Sequence, residues 1–165
     1  MSESISFKLY QSPAGNIDIL VKEGKLIKCK WSSVNSFPQN DTDIKDFDKP
    51  IIERVCRRLD EFFSGEEIEF DFPIVCSGSD FQKRVWEEIA KVGHGKVITY
   101  RELAVRIGNA KAVRAVANAC GKNPIVIFIP CHRVVGSGGR SGGYTGGIEK
   151  KLFLLNLEKG VCNAK

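Results

Sequence analysis

The sequence predicts an α+β protein in two parts, a small N-terminal α/β part over residues 1–75 and a mainly helical C-terminal part over residues 76–165. Short runs of β-forming residues separated by turn signals fill the start of the chain. Two helix-capping signals, each followed by apolar residues at helical spacing, come after residue 78. Charge divides in the same way, with 10 Lys/Arg and 14 Asp/Glu over residues 1–74 against 15 and 6 over residues 75–165.

The N-terminal part is predicted to form three antiparallel strands, at residues 7–10, 17–21 and 26–31, followed by a polar loop over residues 32–46. Pro50 then opens a helix that Gly65 closes. Its apolar positions have helical spacing: Ile51, Val55, Leu59, Phe62 and Phe63. Residues 68–72 suggest a further strand. This part carries no pattern typical of a catalytic site.

The C-terminal part begins with a capping box, Ser79 with Gln82, and a second one follows at Thr99 with Glu102. The helix that Thr99 starts ends at Gly108, and another runs from Lys111 to about residue 120. Two short helices joined by a tight turn in basic sequence predict a helix-turn-helix. We expect Val113, Val116, Ala117 and Cys120 to face the core and Lys111, Arg114, Ala115, Asn118 and Lys122 to lie outward.

The last helix is predicted over residues 148–159, with Ile148, Leu152 and Leu155 on its buried face. Lys151 and Glu158 lie beside this face. A carboxylate near a buried surface is costly unless it is paired, so Glu158 is a candidate to orient another side chain.

The chemistry is best placed at the run Pro130, Cys131, His132. Residues 125–129 before it are apolar and predict a buried extended segment, and residues 136–147 after it contain seven glycines. An adjacent imidazole that a carboxylate orients is one way to turn a cysteine into a nucleophilic thiolate. A buried cysteine that only packs is the alternative.

The run from Pro130 to Val134 resembles the PCHRV signature of the O6-alkylguanine-DNA alkyltransferases, and the resemblance extends over residues 81–160. It implies a ribonuclease-H-like N-terminal scaffold and a winged helix-turn-helix in the C-terminal part. It also implies that Cys131 irreversibly takes the alkyl group of O6-alkylguanine, and of O4-alkylthymine as a further candidate, after the base is flipped out of duplex DNA. No cofactor is expected, since the DNA itself is the alkyl donor.

The resemblance assigns catalytic roles to five residues. Cys131, His132 and Glu158 form a relay with water between the histidine and the sulfur, Tyr100 donates a proton to the base, and Lys151 bonds the Tyr100 phenol.

On the DNA side, Arg114 fills the gap that the flipped base leaves, and the small outer face at Ala115 lets the helix approach the groove, although Asn118 is bulkier than the glycine of many relatives. Asn123 braces the helix against the segment that carries the thiol. The resemblance also implies a pocket for the base. The backbone carbonyls of Cys131 and Val134 accept from the exocyclic amine of guanine. Tyr144 covers the base, and Thr145 donates to its oxygen.

The remaining features bound the class of protein. No run is long and apolar enough for a membrane span and no signal peptide is apparent, so we expect a cytosolic or nuclear protein. We also expect it to be a monomer. The six cysteines have no C-x-x-C spacing, which argues against a metal site. Three other functions are alternatives. A relative that binds lesions without repairing them would lack the reactive cysteine, which is present here. A transcription regulator with a thiol sensor would need more side chains for major-groove readout than this outer face offers, and a thiol hydrolase would need a peptide groove, which is not evident.

Overall fold

The computed structural model describes residues 4–33, 44–69 and 71–160. The chain forms two compact units, Met1–Ser77 and Gly78–Lys165. Each has its own buried apolar residues. Within the described ranges, no helix has the length and apolar character that crossing a bilayer requires.

The first unit contains a three-stranded antiparallel sheet in the order β1-β2-β3. Its strands are β1 (Ser6–Ser12), β2 (Gly15–Lys22) and β3 (Lys25–Trp31), so the predicted meander is confirmed. The predicted loop over residues 32–46 lies largely outside the described residues, which resume at residue 44.

Helix α1 (Lys49–Phe63) covers the sheet with a buried stripe of Ile51, Ile52, Val55, Leu59 and Phe62. Pro50 lies in its first turn, where a missing N–H costs nothing. The strand predicted at residues 68–72 is wrong for the four of those residues that the structure describes. Sheet-like pairing occurs later instead, where Leu26 bonds the carbonyl of Pro73 and the amide of Val75.

The second unit is mainly helical, with α2 (Asp80–Ala90), α3 (Tyr100–Arg106) and α4 (Val113–Gly121) packed together. Both predicted capping boxes are present, on Ser79 with Gln82 and on Thr99 with Glu102. Trp86 of α2 donates its indole N–H to the carbonyl of Ala119 at 2.9 Å, which ties α2 to α4. The two-residue strands β4 (Ile98–Thr99) and β5 (Val134–Val135) pair in parallel.

Residues 125–129 are buried as expected, but they are not extended. They form a tight turn in which Ile129 N bonds Ile125 O and Ile127 has a φ of 72°. A β-branched residue rarely adopts this left-handed conformation, which explains why a run of β-formers gave the wrong prediction. A short 3₁₀ turn, Cys131–Arg133, follows directly.

Helix α5 (Ile148–Glu158) buries a different face from the one predicted. Ile148 and Leu152 are each 44% exposed, whereas Lys151, Leu154, Leu157 and Glu158 are buried. Apolar residues occur on several sides of this helix, so their spacing alone does not select a face. Its two buried charged groups are acceptable because both are hydrogen-bonded.

Candidate functional site

Cys131 lines a cavity of about 350 Å³ in the second unit. Residues from α3, α4 and the glycine-rich loop complete its wall: Tyr100, Ala117, Cys120, Gly121, Gly143, Tyr144 and Thr145. Sites for small ligands start at about 300 Å³, so the volume suits one small planar group. The cavity therefore joins the candidate nucleophile to the helix of the predicted helix-turn-helix.

Asn123 holds the segment that carries the thiol. Its side-chain amide nitrogen donates to Ile129 O at 2.7 Å and to the sulfur of Cys131 at 3.0 Å. Its side-chain oxygen accepts from Ile125 N at 2.9 Å. The bond to sulfur was not predicted, and it favours the thiolate because the N–H dipole points at the atom that becomes negative.

His132 and Glu158 are both buried and lie in direct contact, with His132 Nε2 2.7 Å from Glu158 Oε1. Burial, the largest influence, tends to raise the pKa of Glu158, but the bonds from His132 and Arg133 outweigh it and hold this pKa at about 2. The ionised carboxylate can only accept, so Nε2 carries the hydrogen and Nδ1 carries the lone pair. Burial also lowers the pKa of His132, which keeps the imidazole neutral and able to take a proton.

Arg133 contacts the same carboxylate and was missed by the sequence analysis. Its Nε lies 3.0 Å from each oxygen of Glu158, its Nη2 lies 2.7 Å from Oε1, and its Nη1 donates to the carbonyl of Val92. The backbone N–H of Gly95 adds a bond to Oε2 at 3.1 Å. The available signal was an arginine beside a histidine in a mostly apolar run, because a buried arginine needs a carboxylate partner.

Tyr100 and Lys151 meet at the carbonyl of Gly143. Tyr100 Oη donates to it at 3.2 Å, and Lys151 Nζ lies 3.5 Å from it. The predicted bond from Lys151 to the phenol is not present, since Lys151 Nζ donates instead to Val134 O at 2.6 Å and lies 5.7 Å from the Tyr100 ring centre. Burial raises the pKa of Tyr100 to about 12, so its phenol keeps its proton.

Val134 does not line the cavity, so the prediction that its carbonyl contacts the base is corrected. It is fully buried in β5, opposite Ile98, and its carbonyl already accepts from Lys151. Tyr144 and Thr145 do line the cavity, as expected for residues beside a bound base.

Helix α4 exposes the outer residues that the sequence predicted: Arg114, Ala115 and Asn118 lie at its surface, and Lys111 and Lys122 flank it. The predicted inner face needs a correction. Ala119 is buried in place of Ala117, which is only half-buried and lines the cavity. Within residues 4–33, 44–69 and 71–160, no group of three or more His, Cys, Asp or Glu side chains is placed to hold a metal ion.

Two family models together cover most of the chain. Residues 80–160 match the model described as 6-O-methylguanine DNA methyltransferase, DNA binding domain. Residues 5–75 match the one described as 6-O-methylguanine DNA methyltransferase, ribonuclease-like domain.

Individual relatives agree with these matches. The chain is 36% identical over 157 residues to a methylated-DNA–protein-cysteine methyltransferase of Haemophilus influenzae, covering 94% of this chain and 87% of that protein. A methyltransferase of the same name from Methanosarcina barkeri is 45% identical over 67% of this chain and 70% of its own length. Among solved structures, Mycobacterium tuberculosis OGT in complex with DNA matches with a TM-score of 0.81 and 35% identity, covering 96% of this chain and 95% of that one. The chain therefore belongs to the 6-O-methylguanine DNA methyltransferase family.

Proposed function

We propose that this protein repairs O6-alkylguanine in duplex DNA by moving the alkyl group irreversibly to its own Cys131. The observation that carries this proposal is the cavity shared by Cys131 and the inner side of α4. A thiol in a pocket directly beneath a helix with an exposed basic surface suits a reaction on a base drawn out of its duplex. The relatives named methylated-DNA–protein-cysteine methyltransferase, and the solved OGT complex with DNA, support it.

The nucleophile is activated by the pair of His132 and Glu158. The neutral imidazole accepts the thiol proton through a bridging water, and Glu158 stabilises the imidazolium that results. Asn123 supplies a hydrogen bond to the developing thiolate. Sulfur then attacks the alkyl carbon, and the carbon–oxygen bond breaks towards the guanine.

The base is held by the remaining lining residues. Tyr144 covers its face, and Thr145 donates to the oxygen that loses the alkyl group. Tyr100 retains its proton at neutral pH, as its pKa of about 12 requires, and donates it to the ring as negative charge develops there. Lys151 acts indirectly, because it bonds the buried carbonyl of Val134 and lies near that of Gly143, a residue of the cavity wall. The carbonyl of Cys131 selects guanine by accepting from its exocyclic amine.

The DNA is bound by α3 and α4 as a winged helix-turn-helix. Arg114 enters the duplex in place of the flipped nucleotide, and Ala115 and Asn118 lie against the groove. The N-terminal part, which we take as residues 1–75 with a ribonuclease-H-like fold, serves as a scaffold. Repair uses one monomer per lesion, in the compartment that holds the DNA.

The reaction ends after one turnover. An S-alkylcysteine is a thioether without the electrophilic carbonyl that lets acyl enzymes hydrolyse, so one chain removes one lesion. The alkyl donor is the DNA, and the reaction needs no cofactor.

The test is the intact mass of the protein after incubation with a duplex oligonucleotide that contains O6-methylguanine. We expect one methyl group on Cys131, none on a Cys131→Ser variant, and one on a Cys120→Ser variant, which removes the other thiol that lines the cavity. An adduct that turns over, or one on a different cysteine, refutes the proposal.

A further inference from the structure

The guanidinium of Arg133 is the least expected member of the buried cluster around Glu158. Only 8% of the residue is exposed, and three of its nitrogen-to-oxygen contacts go to the two oxygens of Glu158. A fourth bond, to the Val92 carbonyl, fixes the far side of the guanidinium. The carboxylate therefore has a permanent cation as its partner, independent of the charge on His132.

The other charged groups around the imidazole can be named. Helix α5 contributes Glu158 and Lys151, and the 3₁₀ turn contributes Arg133 and the Cys131 thiol. The loop after helix α2 contributes two neutral backbone groups, the Val92 carbonyl and the Gly95 amide, to the same cluster. Arg133 and Lys151 oppose a positive imidazole, whereas Glu158 favours one.

The two charge states of the cluster have different consequences for the thiol. If Glu158 had only His132 as a partner, a buried carboxylate would draw a proton from solvent onto the ring, because an isolated buried charge is costly. An imidazolium formed in this way cannot accept the proton of Cys131. With Arg133 as the counter-ion of Glu158, the negative charge of the carboxylate is neutralised, and protonation of the His132 ring by solvent is not favoured.

We propose that Arg133 is a positioning residue for alkyl transfer, which neutralises Glu158 so that His132 rests uncharged and is free to take the Cys131 proton. The inference rests on the proposed function and adds a residue to it. During transfer the thiol proton passes to His132, sulfur bonds the alkyl carbon, and the carbon–oxygen bond breaks with its electrons going to the guanine. The guanine takes its proton from Tyr100, and afterwards the imidazolium of His132 releases one proton to solvent while the phenolate of Tyr100 takes one up. The thiol therefore loses one proton and the guanine gains one, so the balance closes without another reactant.

The first test follows the charge of His132 without using activity. The chain has two histidines, so the ring signals of isotope-labelled protein can be assigned with a His94→Gln variant. In the wild type the His132 ring stays neutral as the pH falls below 6.5, the ordinary value for histidine. In Arg133→Met it becomes charged at a pH higher by about one unit or more. Arg84→Met, which removes an exposed arginine of α2, leaves the titration unchanged. An unchanged His132 titration in Arg133→Met overturns the proposal.

The second test measures the rate of benzyl transfer from free O6-benzylguanine across the same pH range, which removes DNA binding from the measurement. In Arg133→Met the acid limb of the profile moves to higher pH by the same amount as the His132 titration. Arg133→Lys keeps the positive charge but loses the multiple contacts of the guanidinium, and the acid limb of its pH profile stays where it is in the wild type. A uniform loss of rate at every pH, or a lysine variant that behaves like the methionine one, means a structural role only and overturns the proposal.

Arg133→Gln provides a second uncharged variant, and its histidine titration decides the question if the methionine variant does not fold. The two proposals fail separately. A wild type that transfers no alkyl group refutes the repair function, whereas the histidine titration judges Arg133 in either case.

Discussion

The side-chain amide of Asn123 donates a hydrogen bond to the sulfur of Cys131 across 3.0 Å, in a setting where both residues are buried. The same amide nitrogen bonds the carbonyl of Ile129, so one side chain fixes the backbone before the thiol and polarises the thiol itself. Reactivity and local structure at Cys131 thus depend on the same residue.

Asn123→Asp tests this dependence with almost no change of shape. The aspartate keeps an acceptor for Ile125 N but turns an oxygen towards Cys131 and the Ile129 carbonyl, which disfavours a thiolate there. We expect the pKa of the Cys131 thiol, measured from the pH dependence of its alkylation by iodoacetamide, to rise by about one unit or more. Asn109→Asp, in the exposed turn between α3 and α4, is the matched control. Equal thiol reactivity in the two variants contradicts the assignment.

We predict that only glycine is tolerated at position 142, because the Tyr100 ring lies close to its backbone. A Cβ atom at Gly142 would lie 3.0 Å from Tyr100 Cε2 and 3.2 Å from Tyr100 Oη, and its φ of 62° would also strain an alanine. Gly142→Ala should displace the phenol and slow alkyl transfer by about tenfold or more, because a catalytic proton donor contributes roughly 10² or more in rate. Gly93→Ala, at an exposed glycine outside the cavity whose new methyl group would meet only the Lys96 side chain at 3.7 Å, should have little effect. Single-turnover rates on a methylated duplex compare the two, and similar rates would count against the prediction.

Arg114→Ala should separate binding of the lesion in DNA from the chemistry. If Arg114 occupies the gap left by the flipped base, its loss leaves the unstacking cost of a few kcal/mol uncompensated. We expect transfer from a methylated duplex to slow by about tenfold or more, at salt concentrations that match those for the wild type. Transfer from free O6-benzylguanine should stay at the wild-type rate, since Arg114 is exposed on α4 and does not line the cavity. An equal loss on both substrates would place Arg114 in the chemistry or the folding instead.

Stability should fall as the pH is lowered, in two steps. The pKa of His132 is lowered by burial, so the unfolded chain takes up a proton below 6.5 that the folded protein resists. The pKa of Glu158 falls from 4.5 to about 2, so its contribution is complete above 4.5 and is lost as the pH drops towards 2. Both groups therefore make the free energy of unfolding smaller in acid.

Urea unfolding at a series of pH values measures this dependence. His132→Gln should remove the step that begins at 6.5 and keep the lower one. A wild-type free energy of unfolding that does not change between pH 6.5 and 4.5 would show that the His132 shift is absent in solution, and one that does not change between pH 4.5 and 2 would show the same for Glu158.

Local signals made much of the fold predictable. The capping boxes at Ser79 and Thr99 place hydrogen bonds within one turn of chain, and the meander follows from short alternating runs and turns. The prediction for residues 125–129 failed because burial of all five residues, together with the hydrogen bonds of Asn123 to Ile125 and Ile129, holds a conformation that local preference opposes.

The candidate site was predictable where its residues are close in sequence or share a helix pattern. Cys131 and His132 are adjacent in sequence, and Glu158 was found from its position on α5, even though the buried face of that helix was assigned wrongly. Arg133 was missed because arginines are mostly exposed, and its partner lies 25 residues away on another element. The contact of Lys151 with carbonyl groups, rather than with the Tyr100 phenol, depends on side-chain reach that spacing does not report.

The left-handed conformation of Ile127 limits how the site can be re-engineered. A free peptide would relax this residue to an extended or helical conformation, because a β-branched side chain disfavours a φ of 72°. Grafting residues 123–133 alone onto another scaffold would therefore release the sulfur from its orientation. A minimal synthetic version of the acceptor has to keep the surrounding protein that buries this turn.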